Sequence, residues 1–183
     1  MKLEQLKENL PDYAKDIRLN LSNLFGNIES SGLTSTQFYG SALAIAYSLK
    51  NKTLIRTLEF ECQNAGFSDL FFAAKTAATL MAMNNIYYRA IHLAENKELS
   101  AMPANLRMNG LIHHGIDKVD FELFALAVSA INGCGLCVHS HVKQLLAHSV
   151  IKIAIQSVLR LAATLNALVT AYGCTDNNPN LEI

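Results

Sequence analysis

The chain has 183 residues, of which 51% are hydrophobic and only 16% are charged, against about 25% charged residues in typical soluble domains. So high an apolar content excludes a disordered chain. Fifteen basic and fifteen acidic residues leave no positive excess with which to bind nucleic acid or an anionic membrane. The scarcity of charge predicts that part of the surface is buried between subunits.

The sequence shows no typical export or membrane segment. Its first residues mix both charge signs, unlike a signal peptide, and the charge-free stretch Leu123–Val142 ends in Asn, Gly, Cys and His residues rather than in an apolar span. The cysteines, Cys62, Cys134, Cys137 and Cys174, then predict a protein of the reducing cytoplasm without a structural disulfide framework.

Helical signals dominate the first half of the chain, where Ala, Leu, Met, Lys and Gln recur at spacings of three and four. Thr34 and Gln37 form a capping box, Gly66 is a helix stop, and Asp69 is a candidate N-cap. The expected helices run from about 34 to 50, from about 52 to 66 and from about 69 to 95. The predicted fold class is therefore all-α.

A connector is expected between Lys97 and Lys118, because this segment holds Pro103, Gly110 and Gly115. It is predicted to include a helical turn of its own. Beyond it, Asn132-Gly133 is expected to separate two helices. The helices of this half are predicted from near 120 to 132, from about 134 to 147 and from about 151 to 172.

The two halves resemble each other, which suggests a duplicated helical unit rather than chance similarity between Ala/Leu-rich helices. The tetrapeptide AATL occurs at Ala77–Leu80 and again at Ala162–Leu165, 85 residues later, and the segments that begin at Phe38 and Phe121 are alike at an offset of 83. We predict one domain, 1–183, with pseudo-repeats at about 33–96 and 117–173. Aligned in this way, the first repeat has no cysteine pair, so the second carries the chemistry.

The chemistry is concentrated between Glu122 and His148. Cys134 is expected in the first turn of the helix predicted after Gly133, where free N–H groups and the helix dipole lower the pKa of a thiol. Cys134, Cys137 and His141, at i, i+3 and i+7, share one face of that helix.

Helix geometry also predicts which thiol attacks. Side chains on a helix lean toward its N-terminus, so His141 reaches Cys137, four residues earlier, but lies about 10 Å along the axis from Cys134. We therefore expect Cys137 to be the attacking thiolate and Cys134 its resolving partner.

Glu122 is the only ionisable residue between Asp120 and Gly133 in its predicted helix, and two interpretations of this carboxylate are open. It is either an early-turn residue favoured by the helix dipole or the third member of a thiol–base–acid arrangement that orients His141. Its counterpart in the first repeat is Tyr39, so the acid occurs only in the half that carries the cysteine pair. This favours the second interpretation.

Three other uses of the cysteine pair are disfavoured. A zinc site made from Cys134, Cys137, His141 and His148 would draw all its ligands from one helix, whereas structural zinc sites use two segments. A c-type haem needs histidine where Val138 stands, and a thioredoxin-like motif follows a strand. We therefore expect no bound metal or cofactor.

The combination of Glu122, Cys134, Cys137 and His141, at spacings of eleven, two and three intervening residues, resembles the alkylhydroperoxidase D branch of the carboxymuconolactone-decarboxylase-like superfamily. The resemblance extends from about 33 to 172. It implies an all-helical subunit that forms a homotrimer or a hexamer. Some family members carry a histidine directly before the second cysteine, whereas this sequence has Leu136, a departure that concerns the proton relay rather than the dithiol.

The resemblance also implies a reaction cycle. Peroxide would oxidise Cys137 to a sulfenic acid, Cys134 would condense with it to form a disulfide, and Glu122 and His141 would relay protons. An external dithiol, such as the dihydrolipoyl group of a 2-oxoacid dehydrogenase component, would reduce the disulfide, and electrons would pass on to a peroxiredoxin.

The predicted function is thus an antioxidant, thiol-dependent reductase of alkyl hydroperoxides or of a peroxiredoxin. The alternative from another class is a non-enzymatic redox-sensing or assembly module in which oxidation of the cysteine pair alters a protein surface. A lactone decarboxylase is disfavoured, since its chemistry does not call for a pair of thiols at a helix start.

Overall fold

The computed structural model describes residues 2–175, so the two ends of the predicted 1–183 domain lie outside the described residues. Over the described range the regular elements are helices, with no strand. The fold is all-α, as predicted. The helices are α1 (Leu3–Glu8), α2 (Lys15–Gly26), α3 (Ser35–Leu49), α4 (Lys52–Asn64), α5 (Leu70–Leu93), α6 (Lys97–Ala101), α7 (Lys118–Ile131), α8 (Gly135–Ala147) and α9 (Lys152–Gly173).

Local capping signals locate several helix ends. The Thr34 hydroxyl accepts the Gln37 backbone N–H at 3.2 Å, and the Gln37 side chain accepts the Thr34 N–H at 3.0 Å, which confirms the capping box. Gly66 follows α4 at φ +83°, a backbone conformation that favours glycine at a helix end. The predicted connector likewise contains a short helix, α6, and a 3₁₀ turn at Asn109–Leu111.

One predicted cap is wrong, and one helix starts earlier than predicted. Asp69 occupies the N-cap position of α5, but its side chain makes no capping hydrogen bond because its backbone is already helical, at φ −63° and ψ −21°. Helix α7 starts at Lys118 rather than near Asp120, because the Asp117 carboxylate accepts the Val119 N–H at 2.7 Å and caps the helix earlier.

Helices α3 and α7 form the centre of the protein and pack closely against each other. A Cβ atom at Gly40 of α3 would lie 1.8 Å from Cζ of Phe124 of α7, so only glycine allows this approach. At the start of the same helices, Nε2 of Gln37 donates to Oδ1 of Asp120 at 2.8 Å. Burial raises the pKa of Asp120, and the hydrogen bond from Gln37 opposes that rise.

Three helices of the second half follow the order and spacing of three in the first. Helices α7, α8 and α9 begin 83, 83 and 82 residues after α3, α4 and α5. Asn51 and Cys134 are 83 residues apart, like the similar segments that begin at Phe38 and Phe121, and they occupy the same N-cap position, on α4 and α8. The position that holds the first cysteine of the pair is thus a capping position in both halves.

The N-terminal segment and α9 are joined by hydrogen bonds. The Tyr13 hydroxyl donates to the Ala171 carbonyl at 3.0 Å, and the Tyr172 hydroxyl donates to the Leu6 carbonyl. By length and composition α9 is apolar enough to cross a membrane, but half of its most apolar window is buried inside the protein, where it packs on α2, α3 and α7. A core helix has the same properties.

Candidate active site

Cys134 is placed by the turn between α7 and α8. Gly133 in this turn has φ +65°, which favours glycine, and the chain then enters α8 with Cys134 as its N-cap. Its Sγ accepts the backbone N–H of Cys137 at 3.3 Å. The expectation that Cys134 lies inside the first turn is therefore wrong by one position, since its backbone is extended, at φ −90° and ψ 91°.

Cys137 lies in the first turn of α8, and its sulfur is bonded to that of Cys134 in a disulfide with the two Cα atoms 5.3 Å apart. The remaining cysteines are free thiols. Cys62 is buried, and burial, with Glu61 and Glu59 nearby, raises its pKa to about 12, so this thiol is inert at neutral pH. Cys174 is exposed.

The two bonded cysteines differ in their access to a cavity of about 460 Å³ between α5, α7 and α8, which we call the thiol cavity. Cys137 lines it and is 8% exposed, whereas Cys134 is fully buried and lies outside the lining. A small molecule in the thiol cavity therefore meets Cys137 first. The apolar part of the wall consists of Met81, Tyr88, Leu111, Phe121 and Leu136.

The polar part of the wall contains the predicted base and acid. Nδ1 of His141, on α8, lies 2.8 Å from Oε1 of Glu122, on α7, and both side chains line the thiol cavity. The hydrogen bond uses Nδ1, so Nε2 is the ring nitrogen left for a proton acceptor or donor role. Among the described residues the hydrogen-bond partner of His141 is Glu122, and Cys137 is engaged with Cys134.

The structure thus brings together all four residues that the sequence singled out. None of the other five histidines lines the thiol cavity. His92, His113, His139 and His148 are exposed, and His114 is buried and stacked on Phe121 with ring centroids 4.1 Å apart. In the part of the chain that the structure describes, no three His, Cys, Asp or Glu side chains are grouped to hold a metal ion.

Helix α5 contributes polar residues that the sequence reasoning missed. Asn85 donates to the Ser129 hydroxyl at 2.9 Å and accepts from Nδ2 of Asn132 at 3.0 Å. Arg89 donates to the Asn132 carbonyl. These bonds tie α5 to the turn that precedes Cys134. A pair of adjacent asparagines in an apolar helix, Asn84-Asn85, is the sequence signal that would have drawn attention to them.

Fold and site together define an all-helical thiol protein with a CxxC pair at a helix N-terminus and a His–Glu pair beside it. The sequence pattern of the Carboxymuconolactone decarboxylase family matches residues 97–173. The chain belongs to the AhpD family within this group, because it is 44–48% identical, over more than nine-tenths of its length, to curated members of that family.

Three relatives, each named alkyl hydroperoxide reductase AhpD, show the extent of the similarity. The protein of Coxiella burnetii is 48% identical over 166 residues, which cover 91% of this chain and 94% of the relative. That of a Bradyrhizobium species is 47% identical over 171 residues, or 93% of each chain. That of Maricaulis maris is 44% identical over 168 residues, covering 92% of this chain and 95% of the relative.

Proposed function

We propose that the protein reduces alkyl hydroperoxides through a dithiol–disulfide cycle of Cys134 and Cys137. The observation that carries the proposal is that Cys137, and not Cys134, lines the thiol cavity together with the hydrogen-bonded His141 and Glu122. The names of the relatives support the same activity.

In the oxidative half, the thiolate of Cys137 attacks the terminal oxygen of the hydroperoxide. The O–O bond breaks, an S–O bond forms, and the leaving oxygen takes up a proton and departs as an alcohol. The thiol of Cys134 then attacks the sulfenic acid, and the disulfide forms with release of water. Since the two Cα atoms are 5.3 Å apart, the second step needs little movement of the backbone.

His141 and Glu122 act as the proton relay. Nε2 of His141 takes the proton of the Cys137 thiol, directly or through a water molecule, and later supplies a proton to the leaving alkoxide. Glu122 holds Nδ1 of the ring at 2.8 Å and stabilises the imidazolium that forms. Leu136 carries no ionisable group where some family members have a histidine, so this relay relies on His141 and Glu122.

In the reductive half, an external dithiol attacks the disulfide, forms a mixed disulfide and leaves in its own oxidised form, restoring both cysteines. A dihydrolipoyl group on a 2-oxoacid dehydrogenase component fits this role, and a peroxiredoxin is a second candidate for electron exchange with the dithiol. No cofactor is bound in this scheme. We further propose a homotrimer or hexamer that works in the cytoplasm.

The test is peroxide consumption by the purified protein with dihydrolipoamide as reductant and cumene hydroperoxide as substrate. Multiple turnovers are expected, and Cys134→Ser and Cys137→Ser should each abolish them, while Cys174→Ser, which removes an exposed cysteine outside the pair, should not. A protein that forms the disulfide with peroxide but never turns over with a dithiol would instead be a redox-sensing module.

A further inference from the structure

Asn84 is the buried polar residue of the thiol cavity that the proposed cycle does not use. It lies on α5, is only 5% exposed and lines the cavity with Cys137, His141 and Glu122. Its Oδ1 atom is buried and has no hydrogen-bond partner among the described residues. Burying such an acceptor without a partner destabilises a fold. Four buried side-chain atoms lack a partner among the described residues, and Asn84 is the one of these residues that lines the thiol cavity.

The neighbouring Asn85 is also buried, and its side chain has a structural role. It is fully buried, and its carboxamide both donates to Ser129 and accepts from Asn132. The two asparagines stand side by side on one helix, yet among the described residues only the carboxamide of Asn85 has its hydrogen-bond partners. No described group holds Oδ1 of Asn84 in place, and its carboxamide is therefore free to turn toward a molecule that enters the thiol cavity.

We infer that the carboxamide of Asn84 binds the peroxy group of the hydroperoxide substrate; the inference rests on the proposed function. A hydroperoxide carries an O–H donor and, on the adjacent oxygen, an acceptor. A carboxamide offers the complementary acceptor and donor side by side. Rotation of the unbonded carboxamide about its Cβ–Cγ bond breaks no hydrogen bond to Oδ1 and brings that oxygen to the O–H group.

This contact has a defined place in the reaction. With the terminal oxygen held toward Cys137, the S–O bond forms on that oxygen and the O–O bond breaks. The inner oxygen leaves with the electron pair and is protonated by the relay to give the alcohol. An N–H of Asn84 on the inner oxygen stabilises the negative charge that develops there. Asn84 thus serves the oxidative half of the cycle and has no role in the attack of a dithiol on the disulfide.

The experiment measures the two half-reactions separately. Reduced protein, freed of reductant, is mixed with cumene hydroperoxide and the loss of free thiols is followed in a single turnover. Oxidised protein is then mixed with dihydrolipoamide. Asn84→Leu, which keeps the branching at Cγ, should slow thiol oxidation by about tenfold and leave disulfide reduction within about twofold of the wild-type rate. Asn84→Ala is a second variant that adds no bulk.

Thermal unfolding provides a readout that is independent of activity. Asn84→Leu should unfold at the wild-type temperature or above, because it removes an unpaired buried acceptor, whereas Asn85→Leu should unfold at a lower temperature because it breaks two hydrogen bonds. If Asn84→Leu does not fold, the rates of both half-reactions and the unfolding temperature are measured on Asn84→Ala instead.

Wild-type rates of thiol oxidation in both Asn84 variants would overturn the inference while leaving the proposed function intact. Slower disulfide reduction alone would also overturn it, since the carboxamide would then serve the dithiol. Equal slowing of both half-reactions with a lower unfolding temperature would show a structural role instead. A wild-type protein whose thiols do not react with the hydroperoxide would contradict the proposed function itself.

Discussion

Nδ1 of His141 lies 2.8 Å from Oε1 of Glu122, although the two residues are 19 positions apart and belong to different helices. Helix α7 brings the carboxylate and helix α8 brings the imidazole, and both side chains reach the cavity that Cys137 lines. An acid, a base and a thiol in this arrangement can move a proton between sulfur and a substrate oxygen.

Replacement of Glu122 by Gln is expected to lower peroxidase turnover by roughly ten- to a thousandfold, the loss typical of a disabled proton relay. The amide keeps the shape of the carboxylate but not the charge that stabilises a protonated His141, so the fold should survive. Steady-state turnover with cumene hydroperoxide, together with a circular dichroism melt, measures both effects.

Asp120 provides the matched control on the same helix, since its carboxylate accepts from Gln37 and not from His141. Asp120→Asn should keep turnover within about twofold of the wild type. Unchanged turnover in Glu122→Gln would return Glu122 to the role of an early-turn acid favoured by the helix dipole.

After reduction, Cys137 is expected to react with iodoacetamide before Cys134 at a pH near 7, because it lines the thiol cavity while Cys134 is fully buried. The rates are measured by mass spectrometry of digested protein in a Cys174→Ser background, which removes the exposed thiol. Cys62, with its pKa raised to about 12, serves as the unreactive internal control. Faster labelling of Cys134 would reverse the assignment of attacking and resolving thiols.

The stability of the protein should fall in mild acid partly through His114. Burial lowers the pKa of His114 below its ordinary 6.5, so the unfolded chain takes up the proton first as the pH falls. The contribution of neutral His114 to the free energy of unfolding is therefore fully present above its ordinary pKa of 6.5. It is lost as the pH drops toward the lower pKa that His114 has in the folded protein. The neutral ring also accepts the Ile116 N–H through Nδ1, a bond that protonation removes.

His114→Phe retains an aromatic ring to stack on Phe121 and removes the titration. Urea unfolding at about pH 8 and about pH 5 should show a smaller loss of unfolding free energy in this variant than in the wild type. His113→Phe, which changes the exposed neighbour, should behave like the wild type. Identical pH dependence in all three proteins would contradict the assignment to His114.

Gly40→Ala is expected to destabilise the protein by about 1–3 kcal/mol or more, the usual cost of overpacking, since its Cβ would overlap the ring of Phe124. Gly26→Ala, at the end of α2 with nothing within 4 Å of the added atom, should change stability by no more than about 0.5 kcal/mol. Urea unfolding compares the two. Adding Phe124→Leu to Gly40→Ala should recover part of the loss, and failure to do so would locate the strain elsewhere.

Sedimentation at micromolar concentration should give a mass several times 20.1 kDa. Phe72, Ile86 and Leu93 are exposed on α5 at spacings of 14 and 7 residues, which places them on one face of the helix, and an apolar face of this kind favours association. Ile86→Glu should lower the mass, whereas Leu19→Glu, at an exposed position of α2, should not. A monomeric wild type would contradict the prediction.

The sequence by itself determined the all-α class and most helix ends, because these depend on neighbouring residues. The Thr34–Gln37 box, the stop at Gly66 and the break at Gly133 act through bonds and backbone angles within a few positions. The spacing from Cys134 to His141 likewise depends on one helix alone, so local helix geometry is enough to group these candidate residues.

Only the tertiary structure decided which groups meet across helices. The bond from His141 to Glu122, the burial of Cys134 against the access of Cys137, and the thiol cavity with Asn84 in its wall all depend on how α5, α7 and α8 pack. Side-chain burial and hydrogen bonding between distant segments follow from the three-dimensional packing of whole helices, which local sequence signals do not specify. For the same reason a cap predicted at Asp69 failed where the backbone had already become helical.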